Sequence, residues 1–266
     1  MEAPVVSPDD VLAIDIGATN IKFARVDATG RLRGSLKRRP TPYPCPPDRL
    51  VDWVVQRTRN FVIDRVGVGF PGELEDGHVI RPGNLSRLGG VGTDIDGSLD
   101  ELWHGFALQD ALRRDTGRDV RVVNDATLAA LGCSRGVGTE LVITLGTGCG
   151  LAMRVDGDRQ RVRDLGRTEF GEGRTFDQAL GERARSHDDV QWRHDVVAAV
   201  NQLAHEFDAS TVYLAGGNAR RVSAELFAAE PFGIEIAGNE ASLRGAARLF
   251  ASGATNPASL RPGVVG

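Results

Sequence analysis

Two glycine-rich turns, each set between two runs of strand-forming residues, constrain the fold of this chain more than any other feature. The first lies in residues 15–20 (DIGATN) and follows the apolar run 11–14. The second lies in residues 145–150 (LGTGCG), between the apolar runs 141–144 and 151–153. A tight turn of glycine and threonine between apolar strands predicts a β-hairpin, and it exposes N–H groups and hydroxyls that can bind a phosphate. The sequence therefore predicts two hairpins with phosphate-binding turns.

The order of predicted elements indicates two lobes. A length of 266 residues suits one large domain or two small ones. Hairpins followed by alternating strands and helices occur twice, so we predict two α/β lobes rather than one sheet. We place the N-terminal lobe at residues 10–121 with a C-terminal helix at 241–252, and the C-terminal lobe at residues 122–240. Residues 253–266 are rich in proline and glycine and are predicted to be a flexible tail.

Four local patterns complete the secondary-structure prediction. Asp48 is predicted to cap a helix. Residues 99–114 are predicted to form one helix, and another is predicted to follow the turn at 216–219. Residues 158–174 are charged and are predicted to be irregular.

Composition and charge exclude several classes of partner. A net charge of −4 argues against a nucleic-acid partner, so we interpret the arginine-rich stretch 31–39 as a solvated face or loop. No apolar run approaches the roughly 20 residues needed to span a bilayer, and no signal peptide is recognisable. Cys45, Cys133 and Cys149 are far apart and form neither a disulfide framework nor a zinc-binding pair. We therefore predict a cytoplasmic protein with no membrane partner.

Asp125 is the sharpest candidate for a catalytic residue. It follows Asn124 at the junction between a predicted strand, 120–123, and a helix that begins at Ala126. Asp125 can be the N-cap of that helix, or it can be a general base that accepts a hydroxyl proton during phosphoryl transfer. Asn124 offers both donors and acceptors to a hydroxyl-rich ligand. Asp15 also has two alternative roles. It can stabilise its own turn, or it can organise Mg²⁺ through water molecules.

The second glycine turn supplies candidate phosphate contacts. Thr147 and the N–H groups of Gly146 and Gly148 are predicted to hold the transferred phosphate through fixed dipoles. The absence of a GxxxxGK[ST] motif argues against a Walker-type NTPase. Residues 216–218 follow a predicted strand, and they are either a nucleotide contact or simply a tight turn.

The order of these motifs resembles the ROK branch of the sugar kinase/actin/Hsp70 superfamily, and within it the short glucokinases and polyphosphate glucokinases. The matching segments cover nearly the whole chain in family order; they are 12–22 (LAIDIGATNIK), 67–72 (GVGFPG), 123–126 (VNDA), 144–150 (TLGTGCG) and 214–219 (LAGGNA). The resemblance implies an α/β, two-lobed actin-like ATPase (ribonuclease H-like) fold with an interlobe cleft.

The resemblance also implies roles for individual residues. Asp125 would be the catalytic base, and the turns at 15–20 and 145–150 would contact phosphates. The substrate-binding set would be Asn84, Asn124, Asp164 and Arg167. The phosphate and nucleotide set would be Asp15, Gly17, Thr19, Asn20, Lys22, Gly146, Thr147, Gly148, Gly216, Gly217 and Asn218. The donor would be ATP or polyphosphate, and no zinc is expected because the family's cysteine cluster is missing.

The chain departs from the family at the sugar-binding motif. ROK kinases usually carry Glu-x-Gly-His after the second phosphate turn, and the matching stretch here is 164–167 (DLGR). We prefer this register because residues 175–177 then fall where similar kinases carry Thr-Tyr. A competing register, 169–172 (EFGE), keeps the glutamate and loses the histidine. Aspartate is shorter than glutamate, and arginine adds a permanent charge, so the preference for glucose is left open.

The predicted function is that of a kinase for a hexose, most simply a glucokinase. The alternatives are a kinase for an amino sugar, another modified sugar or a cyclitol, a pseudokinase, and a non-catalytic sugar-binding regulator. Family regulators carry an N-terminal helix-turn-helix domain, and only ten residues precede the first strand here. Dimers are common in the family, so a homodimer is compatible with this prediction.

Overall fold

The computed structural model describes residues 7–251, which form two compact units. Within these residues, one unit holds the chain up to Leu128 together with the part from Ser242 onward, and the other is Ala129–Ala241. The division falls inside a helix, seven residues after the boundary at 121/122 that the sequence suggested. The predicted tail, 253–266, lies outside the described residues.

The chain alternates strands and helices throughout. Its strands are β1 (Val11–Ile16), β2 (Asn20–Val26), β3 (Lys37–Pro40), β4 (Arg65–Phe70), β5 (Glu73–Glu75), β6 (His78–Arg81), β7 (Asp119–Asn124), β8 (Thr139–Leu145), β9 (Cys149–Val155), β10 (Asp158–Gln160), β11 (Glu169–Gly171), β12 (Arg174–Thr175), β13 (Thr211–Ala215) and β14 (Gly233–Gly238). Its helices are α1 (Pro47–Thr58), α2 (Gly97–Trp103), α3 (Leu108–Thr116), α4 (Asp125–Cys133), α5 (Phe176–Leu180), α6 (Glu182–His187), α7 (Asp189–Glu206) and α8 (Glu240–Arg248). Four short 3₁₀ turns lie at 83–86, 165–167, 219–221 and 224–227.

The first unit is built on a five-stranded sheet in the order β3-β2-β1-β4-β7. The first glycine turn joins β1 and β2 as an antiparallel hairpin, while β4 and β7 run parallel to β1. Parallel neighbours need crossover connections, and α1 and α3 supply them. Alternate apolar side chains of β1 and β2 are buried against these helices; they are Leu12, Ile14, Ile16, Ile21 and Phe23. The carboxyl ends of β1, β4 and β7 therefore lie side by side.

The second unit repeats this plan. Its sheet has the order β10-β9-β8-β13-β14. The second glycine turn closes the β8–β9 hairpin, and β13 and β14 run parallel to β8. The long helix α7 buries Val196, Val200 and Leu203 in the core of this unit, and their spacing of four and three residues places them on one face of the helix.

The predicted helix over 99–114 is wrong, because the structure has two helices, α2 and α3. Between them, Gly105 adopts φ +73°, and its N–H donates to the carbonyl of Val79 on β6 at 2.8 Å. The N–H of Val79 donates in turn to the carbonyl of Phe106 at 3.0 Å. Pairing with a strand thus replaces the helical hydrogen bonds at this point.

Three smaller predictions also differ from the structure. Helix α1 begins at Pro47 with Pro46 as its cap, so Asp48 lies in the first turn instead. The helix expected after 216–219 is replaced by two short 3₁₀ turns. The segment 158–174 contains β10 and β11 and ends in β12.

No helix in the described part of the chain is long and apolar enough to cross a membrane.

Candidate functional site

The first glycine turn is held in one shape from inside and outside. Inside it, the N–H of Gly17 donates to the carbonyl of Asn20 at 3.0 Å. A Cβ on Gly17 would stand 2.9 Å from that oxygen, so the turn requires glycine there. The proline-rich segment 40–47, which begins at the end of β3, holds the turn from outside. The hydroxyls of Thr41 and Tyr43 donate to the carbonyls of Gly17 and Ala18, both at 2.7 Å. The turn is therefore a rigid support for the residues beside it.

Asp15 and Lys22 face each other across the β1–β2 hairpin. They are register partners, and the Lys22 Nζ lies 3.4 Å from Asp15 Oδ2. On its other side, Asp15 is the register partner of Gly69 on β4. A Cβ on Gly69 would stand 3.5 Å from Asp15 Oδ1 and 3.4 Å from the Cα of Asp125. Leu128 Cδ2 would stand nearer still, at 2.9 Å, so the helix that carries Asp125 packs against β4 where a side chain would not fit.

The structure decides which residue caps helix α4. The Oδ1 of Asn124 accepts the N–H groups of Ala126 at 3.0 Å and Thr127 at 3.1 Å. Its Nδ2 donates to the carbonyl of Gly72 at 3.0 Å. Asp125 Oδ1 accepts the N–H of Ala126 at 2.8 Å, and its Oδ2 takes no hydrogen bond from any other residue that the structure describes. The capping role therefore belongs to Asn124, and Asp125 keeps one oxygen for another partner.

The carboxyl of Asp125 is poised to exchange a proton near neutral pH. Burial raises the pKa of Asp125 to about 7, and the negative charge of Asp15 adds to that rise. The N–H of Ala126 and the ammonium of Lys22 act in the opposite direction and limit it. A carboxyl whose pKa lies near the working pH is suited to general base catalysis.

Asn84 is connected to this edge of the first unit through two Pro-Gly turns, 71–72 and 82–83. Gly83 has φ +60°, and a Cβ on it would stand 2.3 Å from the carbonyl oxygen of Pro71. Asn84 directly follows Gly83, and its Oδ1 accepts a hydrogen bond from Arg87 Nε at 3.0 Å. Asn124 bonds the carbonyl of the 71–72 turn, as described above. The structure thus links Asn84, Asn124 and Asp125 through one set of turns.

The second glycine turn offers fewer free N–H groups than predicted. The N–H of Gly146 donates to the carbonyl of Gly148 at 3.0 Å, because this bond closes the hairpin. Gly146 therefore does not present its N–H to a phosphate, and contact through Thr147 and Gly148 stays a prediction. Asp177 lies against the same turn: its Oδ1 accepts the N–H of Cys149 at 2.7 Å. A Cβ on Gly148 would stand 2.4 Å from that oxygen.

Asn218 and Glu182 fasten this turn to the turn at 216–218. The Nδ2 of Asn218 donates to the carbonyl of Gly146 at 3.3 Å and to Glu182 Oε2 at 2.8 Å. The N–H of Glu182 donates to the carbonyl of Thr147 at 3.2 Å. Hydrogen bonds from Arg185 hold the pKa of Glu182 down at about 2, so this carboxylate stays charged. The predicted nucleotide contact Asn218 thus has a positioning role within its own unit.

The two glycines before Asn218 differ in their surroundings. Gly216 has φ +89°, and a Cβ on it would stand 2.4 Å from the carbonyl oxygen of Leu145, so only glycine fits. Around Gly217 the nearest side-chain atom is 3.9 Å from the position of a Cβ. Gly217 is therefore the open position, where the backbone can be approached from outside.

Asp164 and Arg167 flank a short 3₁₀ turn beside the second glycine turn. Asp164 Oδ1 accepts the N–H of Gly166 at 3.2 Å. The other carboxylate oxygen, Oδ2, lies 4.0 Å from Arg167 Nε, and the side chains of Arg167 and Asp164 are 64% and 52% exposed. A Cβ on Gly166 would stand 2.8 Å from the carboxyl group of Asp177. Burial raises the pKa of Asp177, and Asp164 raises it further while Arg167 lowers it. These side chains form one electrostatic group.

The competing register places its residues elsewhere. Glu169 and Glu172 lie on the β11–β12 hairpin, where Glu172 is 87% exposed and 3.5 Å from Arg174. Arg174 also donates to Asp195 of α7 at 2.7 Å, which pins the hairpin to that helix. Asp164 and Arg167 thus lie beside the second glycine turn, while Glu169 and Glu172 lie on a separate hairpin, and the register of the sugar motif stays a prediction.

Sequence reasoning assigned no role to Asp177 or Glu182. The segment 175–177 served only to align the sugar-binding motif, although Thr175 also begins a capping box with Gln178. What makes Asp177 notable is its contact with two glycines, Gly148 and Gly166, and no local pattern reveals that contact.

The described residues contain no cluster of three or more His, Cys, Asp and Glu side chains that could hold a metal ion. Mg²⁺ does not need such a cluster, since it usually keeps several waters and binds one or two carboxylates together with phosphate. Asp15 Oδ1 accepts no hydrogen bond from those residues, so it is a carboxylate oxygen that can face such an ion. This oxygen fits a magnesium ion held mainly through water.

Comparison with solved structures finds a fold shared with known kinases. The inorganic polyphosphate/ATP-glucomannokinase from Arthrobacter sp. strain KM is 28% identical, with a TM-score of 0.71 over 90% of this chain and 96% of that one. A ROK family glucokinase from Streptomyces griseus, solved with glucose and AMPPNP, is 21% identical, with a TM-score of 0.63 over 90% and 98%. A putative N-acetylmannosamine kinase from Listeria monocytogenes is 20% identical, with a TM-score of 0.66 over 90% and 97%.

These likenesses confirm the predicted α/β fold as the actin-like ATPase fold. No curated protein matches the sequence significantly. The family model described as ROK family matches residues 11–171, which is more than half of the chain and includes both glycine turns and Asp125. The chain therefore belongs to the ROK family.

Proposed function

We propose that this protein is a sugar kinase that transfers a phosphoryl group from ATP or polyphosphate to a hydroxyl of a hexose or a related polyol. The observation that carries the proposal is the state of Asp125. Its Oδ2 takes no hydrogen bond from any other described residue, its Oδ1 is fixed by the N–H of Ala126, and its pKa is raised to about 7. These are the properties that a base for a neutral hydroxyl requires.

In the proposed reaction, Asp125 accepts the proton of the sugar hydroxyl. The hydroxyl oxygen forms a bond to the terminal phosphorus of the donor, and the bond from that phosphorus to its bridging oxygen breaks in line. The bridging oxygen leaves with its electron pair as the end of the shortened donor. The fixed bond from Ala126 keeps the carboxylate oriented, so positioning contributes along with basicity.

The first glycine turn and Lys22 are the proposed donor contacts of the first unit. Lys22 Nζ lies 3.4 Å from Asp15 Oδ2, which places a positive charge beside the first glycine turn. Asp15 would hold Mg²⁺ through water, and the ion would supply neutralisation of the phosphate charge. Lys22 and the turn would contribute fixed positive charge and dipoles at the same oxygens.

We propose that Asn84, Asn124, Asp164 and Arg167 select the acceptor. The 4.0 Å separation of the last two, and their exposure, leave both charged groups able to bind a ligand. Arginine presents a planar fork of donors, where the family's histidine presents one ring nitrogen at a time. An acceptor with an acidic or additional oxygen substituent therefore suits this site at least as well as glucose.

The test is phosphate transfer to a panel of hexoses, amino sugars, sugar acids and cyclitols, with ATP and with polyphosphate as donors. Asp125→Asn should lower kcat by about 10²–10⁴-fold while the sugar Kd changes little. The matched control is Asp110→Asn, because the side chain of Asp110 lies on α3 and is 71% exposed. Sugar binding without transfer to any acceptor would refute the kinase proposal and indicate a non-catalytic, sugar-binding member of the family.

The register of the sugar motif has its own test. The double exchange Asp164→Glu and Arg167→His should raise kcat/KM for glucose relative to the preferred acceptor. The control exchanges Glu169→Gln and Glu172→Gln, on the hairpin of the competing register, should leave this ratio unchanged. The opposite pattern would move the sugar site to that hairpin.

A further inference from the structure

The basic stretch 31–39 has no role in the site described so far. It ends in β3, an edge strand whose four residues are all exposed. Among the described residues β3 pairs with β2 alone, and it continues into the loop whose Thr41 and Tyr43 bond the first glycine turn. At that junction the N–H of Thr41 donates to the carbonyl of Thr19 at 3.0 Å.

The register of the sheet places Arg38 of β3 in line with Lys22 and Asp15. Lys22 is the partner of Asp15 on one side and of Arg38 on the other. Directly paired residues point to the same face of a sheet, and neighbouring strands lie about 4.8 Å apart. Asp15, Lys22 and Arg38 therefore form a row that runs from the first glycine turn to the open edge of the sheet.

Arg38 differs from the two cations beside it. Lys37 lies over the ring of Phe61 at 5.7 Å, and Arg39 donates to the carbonyl of Arg38 at 2.8 Å. Both lie on the opposite face of β3 from Arg38, because side chains alternate along a strand. The guanidinium of Arg38 has no acidic or hydrogen-bonding partner among residues 7–251. Its charge is therefore available to a ligand.

We infer that Lys22 and Arg38 form a track for a linear polyanion, namely inorganic polyphosphate, leading outward from the first glycine turn. The inference rests on the proposed kinase function, because the end of the chain would be the phosphoryl donor. A nucleotide has three phosphates followed by an uncharged sugar and base, so a cation further along the row gains nothing from it. A polyphosphate chain carries charge along its whole length, so each cation in the row adds affinity.

Cations on an edge strand also discourage pairing with other strands, which is the simpler explanation of β3. That role needs charge anywhere on the strand and does not distinguish Arg38 from Arg39. Exchanging each residue in turn therefore separates the two explanations.

The experiment measures binding of fluorescently labelled polyphosphate to the full chain, together with kcat/KM for long-chain polyphosphate and for ATP. Arg38→Glu should weaken binding of long-chain polyphosphate about tenfold or more at low salt and flatten its salt dependence. The kcat/KM ratio of polyphosphate to ATP should fall by a similar factor. Arg38→Lys should keep most of the binding, since the interaction depends on charge. The controls are Arg39→Glu and Arg114→Glu, the latter 74% exposed on α3.

Each other outcome overturns a stated part of the inference. Equal losses with Arg38→Glu and Arg39→Glu would leave only edge protection, and the absence of polyphosphate binding to the unaltered chain would remove the track altogether. Equal affinity for single-stranded RNA of matched charge would identify a nucleic-acid surface instead. Transfer from ATP with no effect of Arg38→Glu would refute the track alone. Polyphosphate binding that depends on Arg38, without transfer to any acceptor, would refute the kinase function alone.

Discussion

Replacing Asp125 by asparagine should make the protein more stable above neutral pH, while it strongly lowers the proposed activity. The folded pKa of this carboxyl is about 7, against an ordinary value of 3.8. Between these two values the folded state binds a proton that the unfolded state has released. The contribution of Asp125 to stability is therefore fully present below about pH 4 and is lost as pH rises through about 7. Asparagine is neutral at every pH and avoids that loss.

The size of the effect follows from the shift. About three pKa units at 1.36 kcal/mol each give an upper limit of about 4 kcal/mol, reached above pH 7. At pH 5 the same calculation gives less than about 2 kcal/mol. The asparagine Oδ1 can still accept the N–H of Ala126, so the substitution keeps the hydrogen bond that holds the side chain. The variant should therefore gain at least 1 kcal/mol over the unaltered protein between pH 5 and pH 8.

The assay is urea unfolding of both proteins at several pH values between 4 and 8, followed by circular dichroism. The quantity of interest is the difference in unfolding free energy between variant and unaltered protein, since other titrating groups cancel in it. Asp110→Asn, an exposed carboxylate of the same unit, should show a difference near zero at every pH. A difference for Asp125→Asn that stays constant with pH, or that falls as pH rises, would refute the assignment of a raised pKa to Asp125.

Two further predictions concern the neighbours of the two turns. Asp15→Asn removes the negative charge beside Asp125, which lowers the pKa of Asp125, so the acid limb of the kcat/KM profile should move to lower pH. Lys22→Met removes the opposing charge and should move that limb to higher pH; equal movement in one direction for both variants would contradict the electrostatic argument. Glu182→Gln weakens the support of the second turn, so KM should rise several-fold for both donors with the sugar KM unchanged, as titration of initial rates will show. Glu225→Gln is the exposed control, and an effect confined to ATP would assign Glu182 to the nucleoside side instead.

The sequence predicted the parts of the fold that depend on local patterns. Both hairpins follow from glycine-rich turns between apolar runs, and the face of α7 follows from apolar residues at helical spacing. The single helix over 99–114 failed because its interruption depends on Val79, whose backbone pairs with Gly105 and Phe106. The helix propensities of residues 104–107 cannot reveal this interruption, because Val79 lies more than 20 residues earlier in the chain.

The candidate site shows the same division between local and distant causes. The strand–Asn–Asp–helix pattern left Asp125 with two alternative roles, the N-cap of α4 or a general base, and did not identify Asn124 as the cap. The choice depends on the carbonyl of Gly72, which lies 52 positions earlier and accepts the amide of Asn124. With that bond in place, Asn124 is oriented toward the helix N-terminus and Asp125 is released from it. The predicted base owes its free oxygen to a residue that sequence reasoning cannot connect to it.

Glycines on or directly after the fourth strand of each sheet explain why the two units can support different sites on one plan. In the first unit, Gly69 on β4 lies between Asp15 and the start of α4, and a Cβ there would stand 2.9 Å from Leu128 Cδ2. In the second, Gly216 directly after β13 lies against the carbonyl of Leu145, and this close approach brings Asn218 to the glycine turn. An interior strand has neighbours on both sides, so such close approaches are possible only where the chain carries no side chain. The same backbone arrangement thus places a pair of acidic residues in one unit and an uncharged amide in the other, and the proposed division between base and phosphate support follows from those two residue choices.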